Sequence, residues 1–130
     1  MTPQDRILDH YENPYHRHVP EKSADFNFYF TGAIANEDCG DYVRVRGRYD
    51  TSTEKRIVGL WWEGSGCCFS QAMASMLAEH CEAKRLYEVR AFTQDDMLNL
   101  FGLDVEPGRV ECVMVAHQAL MKALENHDES

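Results

Sequence analysis

The chain has 130 residues, 44% of them hydrophobic and 27% charged, with a formal net charge of −9. That length suits one compact domain with a single core, and the composition argues against wholesale disorder. The acidic balance argues against a duplex-binding role, because phosphate neutralisation needs a basic face.

Residues 2–12 read as a short helix, opened by Thr2-Pro3 and closed by Asn13-Pro14. The alternation of Phe26, Phe28 and Phe30 with polar neighbours predicts a first strand. Val43, Val45, Gly47 and Tyr49 share one face of a second strand, and Arg44, Arg46 and Arg48 form a basic row on its solvated face. Residues 50–54 read as a turn and 57–63, IVGLWWE, as a third strand, which together suggest an antiparallel meander. Of the tandem tryptophans, one of Trp61 and Trp62 is expected in the core and the other partly exposed.

The period then changes. Phe69, Ala72, Met73, Met76, Leu77 and His80 follow the spacing of one helical face. Thr93 opens a short helix that stops at Gly102, and Pro107-Gly108 precedes a last helix. Its predicted buried stripe is Val110, Val113, Met114, His117, Leu120, Met121 and Leu124, with His117 read as a hydrogen-bonded core histidine. Strands followed by helices make the fold α+β, a three-stranded antiparallel sheet with helices packed on it, and residues 1–130 form a single domain.

No uninterrupted apolar run reaches the ~20 residues needed to cross a bilayer, and the N-terminus lacks the apolar core of a secretion signal. The expectation is a cytoplasmic protein without nucleic-acid or membrane partners. Five cysteines in a reducing compartment then point to metal or thiol chemistry rather than a disulfide framework.

Cys39 lies in the loop between the first two strands, Cys67 and Cys68 where the third strand turns into a helix, and Cys112 near the start of the last helix. Asp41 follows Cys39 by two residues, with Gly40 between them allowing the backbone to wrap an ion. Three thiolates and a carboxylate would complete a tetrahedral zinc site, and thiolates also suit iron–sulfur clusters. There is no CxxC pair, so spacing alone leaves a shared metal site and scattered unligated cysteines both open. A carboxylate ligand would make such a site labile.

Four stretches carry a resemblance: ILDHYENP (7–14), NEDCGD (36–41), GSGCCFSQAMASML (64–77) and RVECVMVAHQAL (109–120). In this order and over nearly the whole chain, they resemble the U-type iron–sulfur cluster assembly scaffolds, which include the Isc, Suf and N-terminal Nif forms. The resemblance implies the U-type scaffold fold and assigns the cluster site to Cys39, Asp41, Cys67 and Cys112. It implies a zinc ion or a [2Fe-2S] cluster there, with Cys112 and Cys67 as candidate persulfide acceptors. The function it implies is acceptance of sulfur from a cysteine desulfurase, and of iron, with a labile cluster passed to acceptor proteins; such a scaffold is not an enzyme. The alternatives it leaves are a zinc-dependent sulfur acceptor that activates a desulfurase, and a structural zinc-binding relative.

Cys68 stands where the family usually has another small residue and is read as a bystander, with a spare ligand or sulfur acceptor as the other reading; Cys81 is read as core. His10, in the first motif, is read as a helix-surface residue, with partner contact as the other reading. Glu111 stands where Isc-type members carry a histidine before the third cysteine. VEPGRV (105–110) does not reproduce their proline-rich motif, so the resemblance does not extend to a dedicated Hsp70-type chaperone. The 45-position step from Cys67 to Cys112 is too short for the Suf-type insertion, which leaves the pathway subtype open.

Overall fold

The computed structural model describes residues 2–17, 29–36, 40–50 and 55–128. Helix α1 (Pro3–Glu12) starts where Thr2 Oγ1 accepts the Asp5 N–H at 3.1 Å, with proline in the first turn. Strands β1 (Tyr29–Asn36), β2 (Asp41–Tyr49) and β3 (Ile57–Ser65) form one antiparallel sheet in the order β1-β2-β3. Helices α2 (Cys68–Cys81), α3 (Leu86–Arg90), α4 (Gln94–Phe101) and α5 (Val110–Asp128) follow, with a 3-10 turn at Pro107–Arg109 before α5.

Burial along β2 alternates strictly, so Asp41, Val43, Val45, Gly47 and Tyr49 face the helices while the three arginines face outward. Arg44 pairs there with Glu63 of β3, Nη1 to Oε1 at 3.1 Å. Along β3 the alternation breaks. The register shifts between Arg48 and Tyr49, leaving Val58 as an extra, exposed residue, a β-bulge. Ile57, Leu60 and Trp62 consequently point inward, and Gly59 lies outward beneath the ring of Trp61. Trp62 is the core indole and Trp61 the partly exposed one, stacked on His16 at 5.3 Å. The residues after α1 cover the β3 edge, where the Trp62 N–H donates to the His16 carbonyl at 3.1 Å.

Helix α5 lies across β1 and β2, while α2 packs on β3 between α1 and α5. Enclosure on several sides buries α2 from Ser70 to Ala78 without interruption, and α5 from Cys112 to His117, wider than the single stripes expected. Small residues in α2 permit the close approach, and its buried hydroxyls find partners. Ser75 Oγ accepts the Tyr15 N–H at 2.7 Å and lies 2.6 Å from His10 Nδ1. His10 is therefore buried against α2, which corrects its placement on the helix surface: Ile7 and His10 share the inward face, and Leu8 and Tyr11 are exposed instead.

One other expectation needs revision. The first strand runs through Asn36, because residues 29–36 pair in register with 41–48; Phe26, Phe28 and the turn at 51–54 lie outside the described residues. Helix α3 and the 3-10 turn at Pro107–Arg109 are added by the structure, each too short to show a hydrophobic period in the sequence. Among the described residues, no helix is long and apolar enough to cross a membrane.

At the far end of the helical layer, Thr93 caps α4, its Oγ1 accepting the Asp96 N–H at 3.1 Å, and Gly102 ends that helix in the left-handed conformation. His117 is a bonded core histidine, Nε2 donating to the Phe92 carbonyl at 2.8 Å. Burial pushes its pKa below 6.5 despite that bond and the Asp96 charge; burial also lowers His80, with Lys84 adding to the effect and Asp96 opposing it. Both side chains bind protons more readily in the unfolded chain. The stability they contribute as neutral groups is complete above pH 6.5 and is lost as the pH falls below that value. His117→Gln, which can keep the bond to Phe92, is expected to lose less melting temperature than wild type between pH 7.5 and 5.5. Parallel thermal melts of the two proteins across that range check this.

Candidate metal centre

The sheet, α2 and α5 meet at one end, where β2 begins and both helices start. Asp41 is the first residue of β2 and lies on its inward face, only 1% exposed. Cys67 is the N-cap of α2, where β3 has just ended and Gly66 adopts a φ of +134°. Cys112 is the third residue of α5 and fully buried. One ligand atom from each of Asp41, Cys67 and Cys112 lies within 4.8 Å of the others, the single such group among the described residues. Three of the four residues expected at the site are thus brought together across a sequence span of 71 positions, from 41 to 112. Cys39 lies outside the described residues, between Asn36 at the end of β1 and Gly40 just before β2.

Asp41 has a second task that the sequence reading did not assign. Cys67 gives α2 no side-chain cap, and the carboxylate supplies one from β2. Its Oδ1 accepts the Cys67 N–H at 2.8 Å and lies 3.1 Å from Ser70 Oγ. The Cys67 thiol faces Oδ2 at 4.0 Å. Burial raises the Asp41 pKa, but hydrogen bonds from the Cys112 thiol, the Cys67 N–H, Ser70 and the Cys67 thiol together outweigh it. The carboxyl ends below its ordinary 3.8 and is ionised at neutral pH. An anion beside the first turn of α2 also meets the positive end of the helix dipole.

The donor chemistry fits zinc. Two sulfurs and a carboxylate oxygen are ligand types that zinc accepts, and neighbouring ligands of tetrahedral zinc stand about 3.8 Å apart. The three donor atoms lie within 4.8 Å of one another, near that spacing, and both thiols donate to the Asp41 carboxylate, which would be a fellow ligand. Deprotonation on binding exchanges the thiol protons for metal.

Cys68 is exposed and belongs to a different groove, lined by Phe69, Phe101 and Arg109, so it is not part of this group. Cys81 is buried in the core, and desolvation pushes its thiol up to about 12, which makes it inert at neutral pH.

A thiol–carboxylate cluster able to hold a metal ion thus stands where the sheet of an α+β domain meets two helix starts. The chain belongs to the NifU-like N-terminal domain family, whose model matches residues 2–130. It is 29% identical to iron–sulfur cluster assembly protein 1 of Oryza sativa subsp. japonica over 95% of this chain and 70% of that one. It is 24% identical to the scaffold protein IscU of Escherichia coli K12, covering 98% and 94% of the two chains. It is 26% identical to the zinc-dependent sulfurtransferase SufU of Bacillus subtilis 168, covering 91% and 86%. The N-terminal part of a NifU-like protein from Brucella abortus shares the fold with a TM-score of 0.68, at 18% identity over 96% of this chain and 93% of that one. FiSufU from Fervidobacterium islandicum AW-1 does so with a TM-score of 0.70, at 22% identity over 92% and 94%.

Proposed function

We propose that this protein is an iron–sulfur cluster assembly scaffold that accepts sulfur from a cysteine desulfurase, takes up iron and hands on a labile cluster. The observation that carries the reading is the convergence of Asp41, Cys67 and Cys112 within 4.8 Å in a chain of the NifU-like family. The names of its relatives, IscU and iron–sulfur cluster assembly protein among them, support the same reading. Cys39, two residues before Asp41, is the fourth donor we assign to the site. The same set would hold zinc as Cys39, Asp41, Cys67 and Cys112, and zinc would keep the thiols deprotonated. No turnover chemistry of its own is assigned to the protein, and cytoplasmic placement belongs to this reading.

Sulfur transfer needs a thiolate with access to its target. Burial orders the two described candidates: Cys67 is half-buried and Cys112 fully buried. We assign first acceptance to Cys67. Its thiolate attacks the outer sulfur of the desulfurase persulfide; a new S–S bond forms, the old one breaks, and the desulfurase leaves as thiolate. The sulfur arrives at the same oxidation level, so its reduction to sulfide draws two electrons from a separate donor. Asp41, the hardest ligand of the set, is the one most readily displaced when a partner cysteine enters.

Reconstitution with iron, L-cysteine, reductant and a cysteine desulfurase tests the reading. A visible cluster chromophore transferable to an apo-ferredoxin is expected for wild type and lost in Cys39→Ala, Cys67→Ala and Cys112→Ala. Stimulation of the desulfurase without any transferable cluster would instead assign the chain to zinc-dependent sulfur acceptance. Wild-type-like cluster in all three variants would remove the shared site.

A further inference from the structure

Two serines of α2, Ser70 and Ser75, are completely buried, and a buried hydroxyl needs partners. Ser75 finds them at His10 of α1 and at Tyr15 just after that helix. Ser70, three residues after Cys67, finds them at the metal centre instead. Its Oγ lies 3.1 Å from Asp41 Oδ1, 2.9 Å from the Cys67 carbonyl and 3.1 Å from Gln71 Nε2.

A serine hydroxyl has one proton and two lone pairs, and an amide nitrogen can only donate. Gln71 Nε2 therefore fills a lone pair, and the single proton goes either to Asp41 or to the Cys67 carbonyl. That carbonyl already accepts the Gln71 backbone N–H at 3.3 Å, and a carboxylate is the stronger acceptor of the two. The relay thus runs from Gln71 Nε2 through Ser70 Oγ to Asp41 Oδ1. Oδ1 also accepts the Cys67 N–H at 2.8 Å, and two donors on one oxygen keep the carboxylate from turning. Oδ2 is left facing the Cys67 thiol, 4.0 Å away.

We propose that Ser70, its hydroxyl oriented by Gln71, is a positioning residue for the metal: it holds Asp41 with Oδ2 toward the thiols and thereby sets how tightly the centre keeps zinc. The inference rests on the metal-binding reading of this cluster and adds to it two residues that donate no ligand atom. A serine needed only to fill the helix interior would be satisfied by the Cys67 carbonyl, and the contact with Oδ1 would have no consequence for a metal.

The test compares wild type, Ser70→Ala, Gln71→Met and Ser75→Ala as full chains. Ser75→Ala makes the same deletion at an equally buried place in the same helix, where the partners are His10 and Tyr15, and so measures the effect of losing a buried hydroxyl by itself. Zinc affinity is read by competition with a chelator. The visible absorption of the cobalt(II)-loaded proteins reports the ligands, and a thermal melt of each metal-free protein reports the fold. Ser70→Ala is expected to bind zinc at least about tenfold more weakly than wild type, the usual effect of losing an outer hydrogen bond to a ligand, and to shift the cobalt bands. Gln71→Met, close in volume, keeps the hydroxyl without the donor that orients it and should weaken zinc by a smaller factor. Ser75→Ala is expected to melt lower but to match wild type in both metal readouts. Zinc affinity and cobalt bands in Ser70→Ala that match those of Ser75→Ala, or tighter zinc in Ser70→Ala, would overturn the proposal. Wild-type metal readouts in Gln71→Met would overturn the orienting role, and this variant keeps the question decidable if Ser70→Ala does not fold. A wild-type protein that holds neither zinc nor cobalt would overturn the metal-binding reading itself and this inference with it, so the two failures are distinct.

Discussion

Gly66→Ala is expected to weaken zinc binding by about 10–100-fold and to lower the melting temperature, although residue 66 donates no ligand. Two effects act together. The φ of +134° is a conformation that side chains other than glycine rarely adopt, costing about 1–3 kcal/mol in the backbone alone. A Cβ at this position would also fall on Asp41 Oδ1 and lie 2.8 Å from the Asp41 Cα. The carboxylate cannot yield without giving up the Cys67 N–H and Ser70 Oγ, so the clash passes directly into the ligand set. Zinc titration with a competing chelator and a thermal melt, on wild type and variant, provide the two readouts. Gly108→Ala is the control, because an added Cβ there meets nothing within 4 Å and should change neither. A Gly66→Ala protein that binds zinc as wild type does would show that close packing of this turn against Asp41 is unimportant to the centre.

That close packing explains which parts of the site could be read from the sequence. The placement of Cys67 at a helix start was legible because a glycine turn runs into a helical period, a local feature; its assignment to the site came from the resemblance, as did that of the buried Cys112 near the start of α5. The role of Asp41 as the cap of α2 was not legible, because its Oδ1 and the Cys67 N–H are 26 positions apart and meet only when β2 pairs with β3. His10 followed the same logic: its partner Ser75 is 65 positions away, so nothing near His10 marked it as buried. In the sheet, the alternation of β2 was plain from Val43 to Tyr49, since its outward face carries three arginines. On β3 the bulge at Val58 changes the phase of burial within an almost wholly apolar run, where composition gives no contrast between faces. Local periodicity thus identified the elements, and long-range pairing set the roles of the polar groups between them.

Two substitutions at Asp41 should separate its structural task from its ligating one. In Asp41→Asn the remaining carbonyl oxygen can still accept the Cys67 N–H, so α2 keeps its cap, while the negative charge facing both thiols is lost. That variant is expected to melt close to wild type, within about 1 kcal/mol of its stability, yet to bind zinc much more weakly. Asp41→Ala removes the acceptor too and leaves the Cys67 N–H at the buried start of α2 without its partner. The added cost is about 1–3 kcal/mol, the usual penalty for an unsatisfied buried donor. Denaturant unfolding and chelator competition on the same three proteins give the comparison. If Asn and Ala lose stability equally, the cap is unimportant and Asp41 serves the metal alone. If Asn retains zinc affinity, the carboxylate is a cap and the fourth ligand lies elsewhere. The expected split, a stable Asn variant with poor zinc binding and an unstable Ala variant, ties the fold of α2 to the chemistry of the centre through one side chain.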